Sequence, residues 1–343
     1  MHAEKMLMQL LSIDSPSKSE EEIAKFISNF IRNIGFDVII DEIGNVVVKG
    51  NEKIVVATHI DTIKRKIKIR KEGNKIYGTG ACDAKASVAS LLLFLQKIKK
   101  LNFTIAFLCD EEEDAKGSEF FLKSCDAEIA VIMEPTSLKL CNYHAGNIEA
   151  IFEVYGEEMH GSFCSKNAIE NAIEMFHKIK KLNCWKKGKY FDSCITLHEI
   201  ICENPFYLNP KVCKGRLEAR ILAEQSAKKI AKEIENVAKE YGKVEFKEIW
   251  NGFEVNEKEE IIKICKDAIE KAGIRFSLDG MPSWTDAIRF NEKGIKCVVF
   301  GPGNLKIAHT EKEYIDLKEI EMATNFLFNL NEILDGYHHS FQL

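Results

Sequence analysis

The sequence is poor in the features that mark several protein classes. It has no basic excess: a formal net charge of -5 over 343 residues argues against a nucleic-acid binder. Its three tryptophans, Trp185, Trp250 and Trp284, show no spacing that suggests a base-stacking platform. None of the 11 cysteines sits in a C-x-x-C pair, and the number is odd. A closed disulfide scaffold, a paired-cysteine zinc site and a thioredoxin-like motif are therefore excluded, and free thiols fit a reducing, cytoplasmic setting. Apolar runs such as Leu91 to Leu95 fall far short of the ~20 residues of a membrane span. The N-terminal stretch reaches Asp14 and a Ser/Pro/Lys cluster quickly, unlike a signal peptide. No phosphate loop is present either. In GTGACD (78–83) the last glycine of a dinucleotide loop is replaced by Asp83, whose charge competes with a phosphate at a helix N-terminus.

What remains is an ordinary globular balance, 45% hydrophobic and 29% charged, at a length that predicts two domains of ~150 residues. There is no internal repeat and no low-complexity segment. Residues 4–12 and 19–34 have helical periodicity, and IVVATH (54–59), TIAFLC (104–109) and IAVIM (129–133) are short β-branched runs of the buried-strand type. A helix beginning near Ala84 separates the first two strands, so the order is that of an α/β fold. From about Asn147 to Trp250 the pattern changes. A strand at IEAIFEVYG, a helix at 167–182, an irregular stretch, a strand at RLEARI, a helix at 226–241 and a strand at VEFKEIW suggest a split-βαβ, α+β module. A further helix (KEEIIKICKDAIEKAG) and the strand KCVVF (296–300) follow. The economical reading is one α/β domain built from both ends of the chain, with a second module inserted between them.

The residues that follow the buried strands carry the chemistry. His59 and Asp61 follow the first, Asp110, Glu111 and Glu112 the second, and Glu134 the third. Gly301-Pro302-Gly303 and then His309 follow CVVF, while Asp83 opens the helix after GTGAC. In open α/β sheets, ligands bind beyond the carboxyl ends of the strands. Acidic groups gathered there without lysine or arginine repel one another, and one or two divalent cations are the simplest remedy. Histidine plus carboxylate, with no thiolate, suits Zn²⁺, Mn²⁺ or Co²⁺. Asp61, two residues beyond His59 on the same strand face, is placed to take that imidazole's second N–H. Within Glu111-Glu112, one carboxylate can bind metal while its neighbour acts as general base. Taken singly, His59 reads as a satisfied strand-end histidine and DEEED as a solvated acidic turn. Four strand ends of the same character favour a site.

These motifs, T-H-I-D, G-T-G-A-C-D-A-K, D-E-E with Gly117 five residues after Glu112, E-P-T, and G-P-G-N with A-H-T, resemble the zinc aminoacylase/carboxypeptidase family. That family includes acetylornithine deacetylase and succinyl-diaminopimelate desuccinylase. The resemblance spans nearly the whole chain in the same order. It implies a mixed, mostly parallel sheet flanked by helices, of the di-zinc exopeptidase type. An inserted ferredoxin-like lid/dimerisation domain is implied at 147–251, with the catalytic domain at 1–146 plus 252–343. It makes Asp83 the carboxylate bridging two metal ions, with His59 and Glu134 completing one site and Glu112 and His309 the other. Glu111 becomes the general base, Asp61 the partner of His59, and Glu113 a surplus acid. A cis peptide is implied after Asp83.

His160, in G-x-x-x-H, resembles a histidine that reaches across a dimer to the oxyanion. Arg220, in L-E-A-R, stands where the family binds a substrate carboxylate, the bidentate geometry arginine favours. Thr285-Asp286, Gly301 and Gly303 resemble segments lining the substrate pocket. A surface histidine in a turn and an exposed strand arginine are the plain alternatives for His160 and Arg220.

Within the family the chain is most similar to the lysine/ornithine-releasing hydrolases of the amino-group carrier-protein pathway. It departs from that subgroup at Thr79, Ala86, Ala145 and Tyr207. The resemblance implies metal-assisted amide hydrolysis on two divalent ions, zinc first, with cobalt or manganese as alternatives. The implied substrate is a small N-acyl amino acid or an acidic carrier protein, with neither nucleic acid nor membrane expected as a partner. Dipeptidase, aminopeptidase-type or desuccinylase activity on the same centre is the competing reading, and a non-catalytic scaffold is a third. The six lysines between Lys178 and Lys189 are either a solvated face or a docking surface for an acidic carrier. A homodimer is implied only through His160. His338-His339 reads as a terminal tail.

Overall fold

The computed structural model describes residues 2–338; His339 and the residues after it, including half of that terminal pair, lie outside them. The described chain divides into two compact units. One comprises residues 2–142, 255–279 and 285–338, and the other residues 143–254 and 280–284.

The first unit is built on a mixed sheet whose strands run in the order Ile39–Ile40, Val46–Val48, Thr104–Leu108, Ile54–His59, Ile129–Ile132, Lys296–Val299 and Leu140–His144. The four strands from Thr104–Leu108 to Lys296–Val299 are mutually parallel, so their carboxyl ends share one edge. Their runs are apolar without alternation because both faces are covered, as in other parallel sheets. The helix Lys85–Leu95 is buried around its whole circumference, which is why KASVASLLLFL shows no amphipathic stripe. It packs against Ala3–Leu11 and against the long helix Leu317–His338. That last helix is absent from the reading of the sequence.

The second unit is a four-stranded antiparallel sheet in the order Cys194–Ile201, Val212–Ile221, Gly146–Tyr155 and Gly242–Trp250. The helices Ala168–Lys180 and Ala227–Ala238 close its core through Met175, Ile179, Ile230 and Ile234. The order strand-helix-strand-strand-helix-strand is the split-βαβ arrangement. The stretch read as irregular contains its fourth strand, Cys194–Ile201. That strand lies at the sheet edge and buries only Ile195, so CITLHEII carries little alternation. The short segment Gly280–Trp284 belongs to this unit as well: Ala145 N–H donates to the Met281 carbonyl at 2.9 Å.

All 11 cysteines are free. Among the described residues no helix is long and apolar enough to cross a membrane.

Candidate metal centre

Four parallel strands deliver their following residues to one edge of the first unit. His59 is the last residue of its strand, and the turns after the neighbouring strands carry Asp110–Glu112, Glu134 and Gly301–Gly303. Asp83 comes from the loop before Lys85–Leu95, and the Asp83–Ala84 peptide is cis. His309 sits in a turn with φ of 63°.

Two clusters result, His59 with Asp83 and Glu134, and Glu112 with His309 and Asp83. Within each, one ligand atom per residue lies within 4.8 Å of the others. Asp83 belongs to both through different oxygens. Its Oδ1 is 3.1 Å from His59 Nε2 and its Oδ2 is 3.3 Å from His309 Nε2. Glu134 Oε2 lies 3.7 Å from His59 Nε2, and Glu112 Oε1 lies 2.9 Å from His309 Nε2.

The far side of His59 fixes the ring. Its Nδ1 lies 3.1 Å from the Asp61 carbonyl and 3.2 Å from Asp61 Oδ1, both acceptors, so Nδ1–H donates there. Nε2 then presents a lone pair to the oxygens of Asp83 and Glu134. Acceptors pointed at acceptors require a proton or a cation. Glu134 Oε1 is buried with no hydrogen-bond partner, a further acceptor that a cation would satisfy. The residues therefore fit a pair of divalent ions, and the imidazole-plus-carboxylate donor set suits zinc, cobalt or manganese.

The electrostatics express the same crowding. Burial alone would depress His59, yet Glu134, Asp61 and Asp83 hold it well above the usual imidazole range. His309 behaves likewise. Burial opposes its charge, but Asp83 and Glu112 raise it to about 10. Burial lifts Glu111 well above the carboxylate range, with Glu134, Glu112 and Asp286 adding repulsion. Glu134 is raised by burial and then by Asp83 and Asp286. Asp83 goes down instead: burial pushes it up, and the two histidines more than reverse that. Metal binding displaces the protons that such groups otherwise hold.

The acidic turn has a defined register. Helix Lys116–Leu122 approaches the preceding strand so closely that a Cβ on Gly117 would stand 2.2 Å from the Cys109 carbonyl oxygen. Glu112 then faces His309, while Glu113 turns outward to Lys18 at 2.7 Å and Lys64 at 2.6 Å. Asp61 ties the turn to the strand end. Its Oδ1 accepts the Glu111 N–H at 3.1 Å and its Oδ2 accepts the Glu112 N–H at 3.0 Å.

Of the residues assigned to the substrate pocket, Thr285 and Asp286 are buried, and Asp286, raised to about 6 first by burial, lies close enough to Glu111 and Glu134 to repel them. Gly301 and Gly303 are also buried. A Cβ on Gly301 would meet the Glu134 carbonyl oxygen at 2.6 Å, and one on Gly303 would meet Cys82 Cβ at 2.5 Å. These glycines let their loop pack directly on the segments that carry Glu134 and Asp83.

His160 and Arg220 belong to the second unit. His160 is exposed and stacks on Tyr207 at 6.5 Å between ring centroids. Arg220 is half-buried, with one guanidinium nitrogen 2.7 Å from Glu218 and another hydrogen-bonded to Asn147.

Three buried polar residues near the centre escaped the sequence reading. Ser17 donates to Asp61 Oδ2 at 2.7 Å, and Glu20 accepts the Asp110 N–H at 2.9 Å. Glu313 accepts the N–H groups of Cys82 at 3.1 Å and Asp83 at 3.4 Å. In sequence each looks like a surface residue. The one available signal is position, Glu313 lying four residues after His309.

Comparison with known proteins finds relatives over nearly the whole chain. The sequence pattern described as Peptidase family M20/M25/M40 matches residues 55–332. A Saccharolobus solfataricus protein named LysW-lysine/LysW-ornithine hydrolase is 25% identical over 323 residues, covering 93% of this chain and 92% of its own. A Pyrococcus abyssi protein provisionally given the same name is 29% identical over 346 residues, with 97% and 94% covered. The crystal structure of a Staphylococcus aureus tripeptidase shares the fold, with a TM-score of 0.83, 20% identity and coverage of 97% and 98%.

Proposed function

The chain belongs to peptidase family M20/M25/M40 and is a metallohydrolase of amide bonds; from that premise we propose that it releases lysine or ornithine from an N-acyl or carrier-protein-bound precursor. The observation that carries the hydrolytic part is the division of Asp83 between two clusters, Oδ1 with His59 and Oδ2 with His309. The substrate part is supported by the LysW-lysine and LysW-ornithine names of relatives aligned over nearly their full length.

In this reading His59, Glu134 and one oxygen of Asp83 hold one divalent ion, and Glu112, His309 and the other oxygen hold a second. When bound, such a pair lowers the pKa of water and polarises the scissile carbonyl. The chain's residues do the rest. Glu111, buried and raised by its neighbours, takes the proton of the attacking water and returns it to the departing amine, so that water adds across the C–N bond. Asp61 holds the His59 ring and the Glu111 backbone in place. Arg220, oriented by Glu218 and Asn147, binds a substrate carboxylate. His160 donates to the oxyanion of a partner copy's substrate, making the enzyme a dimer with the second unit as its lid. Loss of such a donor typically costs ~10²–10³ in rate. The exposed Lys180, Lys181, Lys186 and Lys187 offer an acidic carrier a complementary surface.

The test is Glu111→Gln with zinc analysis. Turnover should vanish while metal content stays at the wild-type level; loss of metal together with activity makes Glu111 a ligand instead. Rates on acetylornithine, acetyllysine, succinyl-diaminopimelate and a dipeptide panel decide the substrate. Dipeptides as the best substrates would overturn the lysine/ornithine assignment.

A further inference from the structure

We infer that the turn from Ser17 to Glu20 is a brace that positions the Glu111–Glu112 pair, with Ser17 and Glu20 as positioning residues for the metal centre. The inference rests on the reading of Glu112 as a metal ligand.

Five consecutive acids, Asp110 to Asp114, make a turn that repels itself, so its conformation depends on contacts from outside. The segment around Ser17 supplies them at three points. It is first registered against the chain just beyond His59. Ser15 Oγ donates to the Ile60 carbonyl at 3.0 Å, Thr62 N–H to the Ser15 carbonyl at 2.8 Å, and Ser17 N–H to the Thr62 carbonyl at 3.3 Å. From there Ser17 Oγ reaches Asp61 Oδ2 at 2.7 Å, the same oxygen that accepts the Glu112 N–H. Glu20 caps the start of the acidic turn through the Asp110 N–H, where the backbone has φ of 62°. Lys18, itself at φ of 70°, turns the other way and places its ammonium 2.7 Å from Glu113 and 3.0 Å from Asp114. Ser17 and Glu20 are only 2% and 7% exposed, so neither contact is a surface accident.

The two inward contacts act on different parts of the centre. Ser17 works through Asp61, which holds His59 in one cluster and the Glu111 and Glu112 amides beside the other. Without the hydroxyl the Asp61 carboxylate can rotate, and all three contacts loosen. Glu20 works on the acidic turn alone, hence on the cluster of Glu112 and His309. Partners that orient metal ligands typically contribute ~10–100-fold to metal affinity or activity.

The experiment titrates the metal-free full-length protein with Zn²⁺ against a chromophoric chelator, reading the dissociation constant of each site, with kcat, KM and thermal midpoint measured alongside. Ser17→Ala should weaken both sites by ~10-fold and lower kcat, and Ser17→Thr, which restores a hydroxyl, should recover most of the loss. Glu20→Ala should weaken one site only, and Glu20→Gln, which keeps an acceptor oxygen, should recover it. Should Glu20→Ala fail to fold, the Ser17 pair decides alone. Glu112→Ala serves as the reference and should lose one ion. If it does, and Ser17→Ala and Glu20→Ala still bind both ions as the wild type does, the brace is wrong and the metal reading stands. A lowered thermal midpoint with unchanged zinc constants overturns the brace in the same way. If Glu112→Ala retains both ions, the metal reading fails and takes the brace with it.

Discussion

The Oδ2 atom of Asp61 accepts the backbone N–H of Glu112 at 3.0 Å. The same carboxylate accepts the Glu111 N–H and the His59 ring, so one buried side chain connects a strand end to the turn beside it. Asp61→Asn keeps the shape but puts an NH₂ group in place of one oxygen, where either the Glu112 N–H and the Ser17 hydroxyl or the Glu111 N–H and the His59 ring donate. Donor would face donor, and the turn or the ring must move. Metal affinity or kcat should fall by ~10–100-fold in a folded protein, as measured by zinc competition and steady-state rates. Wild-type values would show that Asp61 has no part in aligning the centre.

Glu313 acts on the segment that carries Asp83. Its Oε1 takes the N–H groups of Cys82 and Asp83, and the residue is 1% exposed, so no water replaces it easily. Removing the acceptor leaves two buried donors, each costing ~1–3 kcal/mol. Glu313→Ala should therefore lower the thermal midpoint and weaken zinc binding together. Glu313→Gln, which retains an oxygen, should restore the midpoint most of the way. Equal damage from both substitutions would mean that the charge, not the hydrogen bonding, matters.

The parts of this architecture that were legible in the sequence are those with a period or a fixed offset. Ile54–His59, Thr104–Leu108 and Ile129–Ile132 stand out because strands covered on both faces need unbroken β-branched runs, and polar residues directly after them mark the sheet edge. Glu112 and Glu113 could be told apart by the spacing the family resemblance supplies, Gly117 lying five residues after Glu112, and in the structure a Cβ on Gly117 would stand 2.2 Å from the Cys109 carbonyl oxygen. Edge and polar elements were hidden for the complementary reason. Cys194–Ile201 buries one side chain and pairs on one side only, so its hydrophobic pattern is unconstrained. Ser17, Glu20 and Glu313 are polar residues in polar stretches. Only their burial separates them from surface residues, and burial there is set by contacts with residues tens to hundreds of positions away.

Gly117 sets a steric condition on the acidic turn. A methyl group at this position would stand 2.2 Å from the Cys109 carbonyl oxygen and 2.8 Å from Asn45 Oδ1. The first of these is backbone and cannot swing aside, so Gly117→Ala must push the helix away and carry the turn with it. Overpacking of this kind costs ~1–3 kcal/mol or more. The thermal midpoint should drop and kcat should fall further than the lost folded fraction explains. A variant with reduced stability but wild-type kcat per folded molecule would separate the helix from the chemistry.

His144 gives the second unit a sensitivity to acid. Its ring is fully buried and stacks on Phe253 at 5.1 Å. Burial first, and then the Arg220 charge, push it down from the ordinary imidazole value of 6.5 to about 4. The folded-state value is depressed, so the native ring is neutral. Above pH ~6.5 both states are neutral and burial is not penalised. Between ~6.5 and ~4 the unfolded chain takes up a proton that the native unit refuses, and stability is lost by up to about 3 kcal/mol. All three tryptophans lie in this unit, so their fluorescence follows its unfolding rather than that of the metal-binding unit. In urea titrations at pH 7 and pH 4.5, the wild type should lose about 2–3 kcal/mol more than His144→Gln over that interval, whatever the variant's stability at pH 7. Equal losses in the two proteins would mean that the ring is already protonated in the native state.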